Sequence, residues 1–308
     1  MTDCPFFSII IPTFNRVDIL PATIKSVLIQ SVQDFEILII DNGSTDNTDR
    51  VIRALCDRRV RYLKIDPTGG PAIPRNIGIA NALGSWLAFL DSDDLWYPDK
   101  LSLVKEKATS GDFEFISHYQ CLQDHSGREQ GIMGRRLDRN PSYFELLTTE
   151  NTFATSSVCV SRDFLEKEKI WFREEKSYRA IEDYDLWLRI LRAGGRIQVI
   201  QKVLGCNVLS PDHLGVDSVF FENMTQLIED HSEWLIKKNG EDQKITKNYL
   251  YANLAMRQGL TSVRQREYRK AFDKIMEAIF SSPKSVLSYL YLRLRQRIFL
   301  SPKENCTV

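Results

Sequence analysis

The sequence predicts an α/β protein in which a mostly parallel central sheet with flanking helices is followed by a C-terminal helical extension. Three observations carry this. Short β-rich runs alternate with helical patterns over the first two hundred residues, the order that a sheet with crossover helices requires. Three of the four clearest strand runs are nearly continuous in apolar residues, which is the pattern of strands covered on both faces. Beyond about residue 215 the strand signals stop and helical patterns take over, so a boundary is placed between 1–215 and 216–308.

The strand runs are FFSIII (6–11), FEILII (35–40), VRYLKI (60–65) and SWLAFL (85–90). A helix is expected from near Asp18, because Leu20, Ile24, Val27 and Leu28 recur at i, i+4, i+7 and i+8. After DNGSTDNT the chain continues as DRVIRALC, a helix with Ser44 or Thr45 available as N-cap. The run IEDYDLWLRILRAGG sets Leu186, Ile190 and Leu191 on one side and ends in Gly194 and Gly195, a C-cap signal. The extension reads as helices through SVFFENMTQLIEDHSEWLIKK, ITKNYLYANLAMRQGL and YRKAFDKIMEAIF.

Composition excludes several classes. With 43% hydrophobic and 27% charged residues in a 308-residue chain, a proper core is available and intrinsic disorder is excluded. Lys plus Arg equals Asp plus Glu at 41 each, so no global field points to nucleic acid. Cys4, Cys56, Cys121, Cys159, Cys206 and Cys306 are scattered without CxxC pairs and read as buried thiols of a reducing compartment. The start MTDCPFFSIIIP lacks the basic and long apolar regions of a signal peptide. No apolar stretch approaches the roughly 18 residues that span a bilayer, so a cytoplasmic protein is expected.

In an open α/β sheet, ligands bind outside the carboxyl ends of the strands. Here the first strand is followed by PTFNR (12–16), the second by DNGSTD (41–46) and the fourth by DSDD (91–94). Three strand ends thus converge on polar residues. Asp41 ends a near-continuous apolar strand, where a charge seldom has a packing reason. Asp91, Asp93 and Asp94 repel one another and are costly to desolvate unless a cation or donors stand opposite. Their hard oxygens suit Mg²⁺ or Mn²⁺ bridged to phosphates. The competing reading is that these aspartates, Asp94 above all, cap the helix that WYPDKLSLV begins, since acidic residues favour helix N-termini. TGGPAIP (68–74) reads as a loop ahead of the helix that carries Arg75.

Four blocks, SIIIPTFNR, SVLIQSVQDFEILIIDNGSTDNT, RNIGIANALGSWLAFLDSDDLWYPDKL and IEDYDLWLRI, together resemble the family 2 glycosyltransferases over roughly residues 6–205. The resemblance implies the GT-A fold, a Rossmann-like nucleotide-diphospho-sugar transferase architecture. It implies that Pro12, Thr13, Phe14 and Asn15 line the nucleoside pocket, that Asp41 contacts the base, and that Arg75 lies near the nucleotide. It implies Asp93 as the metal ligand, Asp91 as a ribose or metal contact, Asp183 as the catalytic base and Glu182 beside it near the acceptor.

The implied reaction is an inverting, metal-dependent transfer of a sugar from a nucleotide-diphosphate donor, a UDP-sugar by preference, to a hydroxyl of a glycan or lipid-linked saccharide, in polysaccharide or cell-surface glycan biosynthesis. Its chemistry asks for these residue types. A nucleotide diphosphate leaves once its developing charge is neutralised, and an acceptor hydroxyl attacks once a carboxylate takes its proton. Two alternatives stand beside it. A sugar-phosphate nucleotidyltransferase would show a glycine-rich loop after the first strand, where this chain reads PTFNR. A non-catalytic nucleotide-sugar-binding scaffold protein would have no need of Asp91, Asp93 and Asp183 together.

Two stretches depart from or lie beyond the resemblance. Many relatives place YR-x-H after the strand that follows the ED helix, whereas this chain reads CNVL (206–209) with His213 four residues on, and His213 is given no role. Residues 261–308 hold ten Lys and Arg against four Asp and Glu. The segment SPKSVLSYLYLRLRQRIF (282–299), with Arg293, Arg295 and Arg297, reads first as a solvated helix packed on its neighbours and second as a peripheral contact to an anionic membrane.

Overall fold

The computed structural model describes residues 4–124, 126–134, 140–148, 151–208, 217–239, 243–287 and 289–290. Its first half is the expected alternation: β1 (Phe7–Thr13), α1 (Leu20–Leu28), β2 (Phe35–Asp41), α2 (Thr48–Ala54), β3 (Val60–Lys64), α3 (Ala72–Asn81) and β4 (Trp86–Phe89). The strands run parallel in the order β3-β2-β1-β4. Every residue of β1 and β2 is buried, because both neighbour two strands and are covered on both faces. β3, at the sheet edge, is part-buried. The core unites Ile9, Ile11, Ile37 and Ile39 of the sheet with Leu20, Ile24 and Val27 of α1.

The second half adds β5 (Leu95–Trp96), α4 (Lys100–Ser110), β6 (Phe115–Gln123), β7 (Glu129–Met133), α5 (Tyr143–Thr148), β8 (Cys159–Ser161), α6 (Arg162–Glu168), α7 (Glu182–Arg192) and β9 (Ile197–Val208). The sheet continues as β4-β8-β6-β9-β5, with β7 on β6. Here its parallel character gives way: β4–β8, β6–β8, β6–β7 and β5–β9 are antiparallel and β6–β9 is parallel. The whole is a mixed α/β sheet with flanking helices, the GT-A architecture. Strand β6 escaped the apolar-run criterion because Ser117, His118 and Gln120 interrupt it, yet all three are buried.

Helix boundaries follow the expected signals with three corrections. The stretch TGGPAIP is loop only as far as Pro71, since α3 begins at Ala72. The helix after β2 is not capped by Ser44 or Thr45. It begins at Thr48 with Asn47 as N-cap residue, and Asp46 accepts a hydrogen bond from the Thr48 N–H (3.0 Å). Nor do the aspartates of DSDD cap the next helix: β5 intervenes and α4 starts at Lys100. At the end of α7, Gly194 adopts φ +92° and the Gly195 N–H returns to the Ile190 carbonyl (2.9 Å), which is the expected C-cap.

Gly78 in α3 carries a packing role. A Cβ there would lie 2.4 Å from Ile10 Cγ2, so the absent side chain is what lets α3 sit directly on β1. Cys121, Cys159 and Cys206 are buried free thiols as expected, but Cys4, ahead of β1, and Cys56, just past α2, are exposed, and Cys306 lies outside the described residues.

The chain divides into two compact units. One comprises Met1–Tyr143, Asn151–Glu174 and Glu182–Pro211 and contains the sheet; the other comprises Phe144–Glu150, Glu175–Ile181 and Asp212–Val308. The second is helical, with α8 (Asp217–Asn239), α9 (Gln243–Arg264) and α10 (Tyr268–Ser281). It has its own small core of Ala252, Ala255, Met256, Ala278, Val286 and Tyr289. Within it Ser285 donates to Asn253 Oδ1 (2.8 Å), and Asn253 donates to the Thr148 carbonyl (3.2 Å). No described helix is long and apolar enough to cross a membrane. His213 and the arginines at 293, 295 and 297 lie outside the described residues.

Candidate active site

The loops at the carboxyl ends of β1, β2 and β4 meet, as the strand order dictates. Asn15, at φ +50°, knits the first two together: its N–H donates to Ser44 Oγ (2.8 Å) and its Oδ1 accepts from the Thr45 N–H (2.8 Å). The Val17 N–H donates to Asp46 Oδ2 (3.2 Å). Pro12 and Thr13 are buried within β1, while Phe14 stands 50% exposed on the loop. Of the four residues expected to line a nucleoside pocket, only Phe14 and Asn15 are therefore open to solvent.

Asp41 is fully buried. Its Oδ1 accepts from the Ser44 N–H (2.8 Å) and its Oδ2 from the Tyr62 hydroxyl. Burial, followed by the hydrogen bond and charge of Asp41, holds the Tyr62 phenol protonated well above its ordinary range. Next to it opens a cleft of about 580 Å³ between Gly43–Thr45 and Lys64–Pro67, in which Lys64 Nζ donates to the Ser44 carbonyl (2.7 Å).

The DSDD turn is held from several sides. Thr23 Oγ1 donates to the Ser92 carbonyl (3.0 Å), and the Asp91 N–H donates to Ser156 Oγ (3.0 Å). Its three aspartates take separate tasks. Asp91 Oδ1 accepts from Arg75 Nη2 (2.7 Å), and Asp93 Oδ2 stands 3.6 Å from Arg16 Nη2. Asp94 is buried and accepts from Asn207 Nδ2 and the Val208 N–H (both 3.2 Å), which fastens the turn to β9. Burial, then the neighbouring Asp91 charge, pushes its carboxyl well above the usual range.

Arg75 joins this turn to α7. Its Nη1 donates to Glu182 Oε1 (2.8 Å) while Nη2 serves Asp91, and its guanidinium lies 5.2 Å from the centre of the Phe172 ring. Only 3% exposed, it is a buried bridge between two acidic groups, a position more enclosed than that of a surface nucleotide contact. Burial works against its charge, but Asp91 and Glu182 outweigh that and raise its pKa further. Glu182 Oε2 is buried without a hydrogen-bond partner among the described residues.

Asp183, the next residue, is part-buried. Its Oδ2 accepts from Thr155 Oγ1 (2.8 Å) and Asn151 Nδ2 (3.3 Å), and its Oδ1 from the Tyr184 N–H (2.6 Å). Burial first and the Glu182 charge second push its carboxyl up to about 6, against the pull of Arg75 and of the Thr155 and Tyr184 hydrogen bonds. A carboxylate so tuned can accept a proton near neutral pH.

Among the described residues, no three His, Cys, Asp or Glu side chains form a group that could hold a metal ion by themselves. Asp91 and Asp93 nonetheless fit Mg²⁺ or Mn²⁺, which take one or two carboxylates and complete their shells with phosphates and water. Asp91 keeps its second oxygen outside the Arg75 pair, and its side chain is 34% exposed. The sequence reading missed Thr155, Ser156, Asn151 and Tyr62. The available signal was TSS at 155–157, three hydroxyl residues between apolar runs.

Comparison with known proteins decides the family. The model of "Glycosyl transferase family 2" matches residues 8–167, which hold the β1 and β2 loops, Arg75 and the DSDD turn. The chain belongs to this family. Among its family 2 relatives, an uncharacterized glycosyltransferase of Rickettsia conorii is 47% identical over 35% of this chain and 18% of its own length. The succinoglycan biosynthesis protein ExoO of Rhizobium meliloti is 31% identical over 63% of this chain and 58% of its own. The Escherichia coli glucosyltransferase WfgD is 30% identical over 60% and 69%. The chain thus spans less than two thirds of the first two of these relatives. In fold it is similar to residues 1–349 of Staphylococcus aureus TarS, solved with UDP-GlcNAc, at a TM-score of 0.65 and 17% identity over 98% of this chain and 94% of that one. The Pyrobaculum calidifontis mannosyltransferase PcManGT, solved with GDP-Man and Mn²⁺, gives a TM-score of 0.54 at 14% identity over 97% and 84%.

Proposed function

We propose that the chain is an inverting glycosyltransferase that moves a sugar from a UDP-sugar to a hydroxyl of a glycan or lipid-linked saccharide in polysaccharide or cell-surface glycan biosynthesis. The observation that carries the reading is Arg75, which holds the DSDD turn and the Glu182–Asp183 pair to one guanidinium. The names of relatives support the substrate class. ExoO is named for succinoglycan biosynthesis, and WfgD for transfer from UDP-Glc to α-D-GlcNAc-diphosphoundecaprenol. TarS was solved with UDP-GlcNAc and PcManGT with Mn²⁺.

In this reading the β1 and β2 loops, with Asp41, receive the nucleoside, and Asp91 and Asp93 hold a divalent cation. When bound, such a cation neutralises charge on the departing diphosphate. Asp183 takes the proton of the acceptor hydroxyl as that oxygen bonds to the anomeric carbon. The bond from that carbon to the diphosphate oxygen breaks, and UDP leaves with the electron pair. Attack from the face opposite the leaving group inverts the anomeric centre. Glu182 faces the acceptor side, and the catalytic domain falls within residues 1–215, with 216–308 a helical region that reads first as a solvated extension and second as a peripheral contact to an anionic membrane.

The test is UDP release from a panel of UDP-sugars, with and without Mg²⁺ or Mn²⁺. Release that needs the metal, is lost in Asp93→Ala, and gives an anomer inverted relative to the donor supports the reading. Asp93→Ala active without added metal overturns the metal role. Failure to co-sediment with anionic vesicles at low salt ends the membrane contact.

A further inference from the structure

We infer that Thr155 is a positioning residue for sugar transfer: its hydroxyl orients the Asp183 carboxylate and sets the pH at which that group accepts a proton. This rests on the reading of Asp183 as the base. An ionised carboxylate offers about four lone-pair positions. At Asp183 three are taken by the Thr155 hydroxyl (2.8 Å), the Asn151 amide (3.3 Å) and the Tyr184 N–H (2.6 Å), which among the described residues leaves one for the hydroxyl proton of an acceptor. The Tyr184 donor belongs to the next residue of the chain and travels with Asp183. The Thr155 donor comes from a separate element and defines where the carboxylate points relative to the rest of the site.

That element is a rigid joint. Thr155–Ser157 form a single 3-10 turn, and each residue is tied to a different part of the fold. Thr155 reaches Asp183. Ser156 accepts the Asp91 N–H on Oγ (3.0 Å), and its carbonyl accepts from Trp96 Nε1 (2.8 Å) and from buried Lys100 Nζ (3.0 Å). Ser157 donates to the Ala154 carbonyl (2.7 Å) and pairs with Ser117 Oγ on β6 (2.8 Å). One turn therefore fixes the base and the acidic turn relative to each other. Among the described residues the charged groups acting on Asp183 are Glu182 on its own helix and Arg75 on α3, and the Thr155 hydroxyl opposes the upward push of burial and Glu182.

The test is the pH profile of UDP release from UDP-glucose, UDP-galactose and UDP-GlcNAc for the full chain, with UDP affinity measured separately. Thr155→Val, which keeps the side-chain shape, is expected to move the acid limb of kcat/KM up by about one pH unit, the scale of one lost charge-assisted hydrogen bond. It should lower kcat about tenfold above that limb, with UDP affinity unchanged and Thr155→Ser restoring both. If Thr155→Val does not fold, Thr155→Ala, which adds no bulk, is read in the same way. An acid limb at the parental pH with kcat within twofold, in whichever variant folds, overturns the inference. Asp183→Asn separates the two levels. Parental turnover in Asp183→Asn removes the base and this inference together, whereas loss of turnover beside an unmoved Thr155→Val profile removes this inference alone.

Discussion

Asp91 and Glu182 accept hydrogen bonds from the same guanidinium, that of Arg75, at 2.7 and 2.8 Å. One residue comes from the turn after β4 and the other from the first turn of α7, so an interaction absent from local sequence holds both acidic groups in one site. Removing Arg75 leaves the buried Glu182 uncompensated. Arg75→Ala is expected to lower stability by about 3–5 kcal/mol, as for a broken buried pair, nearly all of it from Glu182 because Asp91 is screened by solvent. Urea unfolding of Arg75→Ala and Arg75→Lys measures this. Arg75→Lys should fall between parent and alanine, since an ammonium does not present the planar fork that spans both carboxylates.

The pH dependence of transfer should report Asp183. A base works only when deprotonated, and this carboxyl is pushed up to about 6, so kcat/KM is expected to be flat above that pH and to fall about tenfold per unit below it. Asp183→Asn should lose about 10²–10⁴-fold in turnover while still binding UDP. An acid limb near 4 would show that the group is not held as the site geometry requires.

Asp94 should behave as structure, unlike its neighbours. It anchors Asn207 and the Val208 N–H, and Asp94→Ala strands both donors at a cost of about 1–3 kcal/mol. Asp94→Asn keeps one acceptor and lets the Asn207 amide rotate to meet the other atom. It is expected to stay within about 1 kcal/mol of the parent and to transfer sugar, whereas Asp91→Asn should not. Thermal unfolding beside UDP release checks both halves.

Gly78→Ala tests the contact of α3 with β1. The added methyl meets Ile10 at 2.4 Å, so overpacking of about 1–3 kcal/mol is expected despite the better helix propensity of alanine. In the double variant Gly78→Ala with Ile10→Ala the two losses in melting temperature should combine to less than their sum, because alanine at position 10 lacks the Cγ2 methyl that is struck.

Much of the first half was legible because its strands are buried on both faces, and burial of that kind writes itself as uninterrupted Ile and Leu. β1, β2 and β4 were found within two residues of their observed ends, and α7 was found with its glycine cap. β6, β8 and β9 were not, for reasons visible in their residues. β6 buries Ser117, His118 and Gln120, β8 is three residues long, and β9 mixes Gln198, Gln201 and Lys202 among its apolar positions. The same holds at the site. Asp91 and Asp93 announced themselves as charges at a strand end and Asp183 through the family resemblance, but Thr155 looks like any hydroxyl residue in a loop until a carboxylate is placed 2.8 Å away.

By itself the sequence determined the α/β alternation, the parallel strands that bring three polar loops to one edge, and the acidic residues available there. Those follow from local periodicity and from the rule that strand ends in an open sheet face a common crevice. Only the tertiary structure decided which carboxylates are paired, which is anchored and which stands raised toward neutrality. That depends on partners such as Arg75, Thr155 and Val208, brought in from distant parts of the chain, and on how far each group is removed from water.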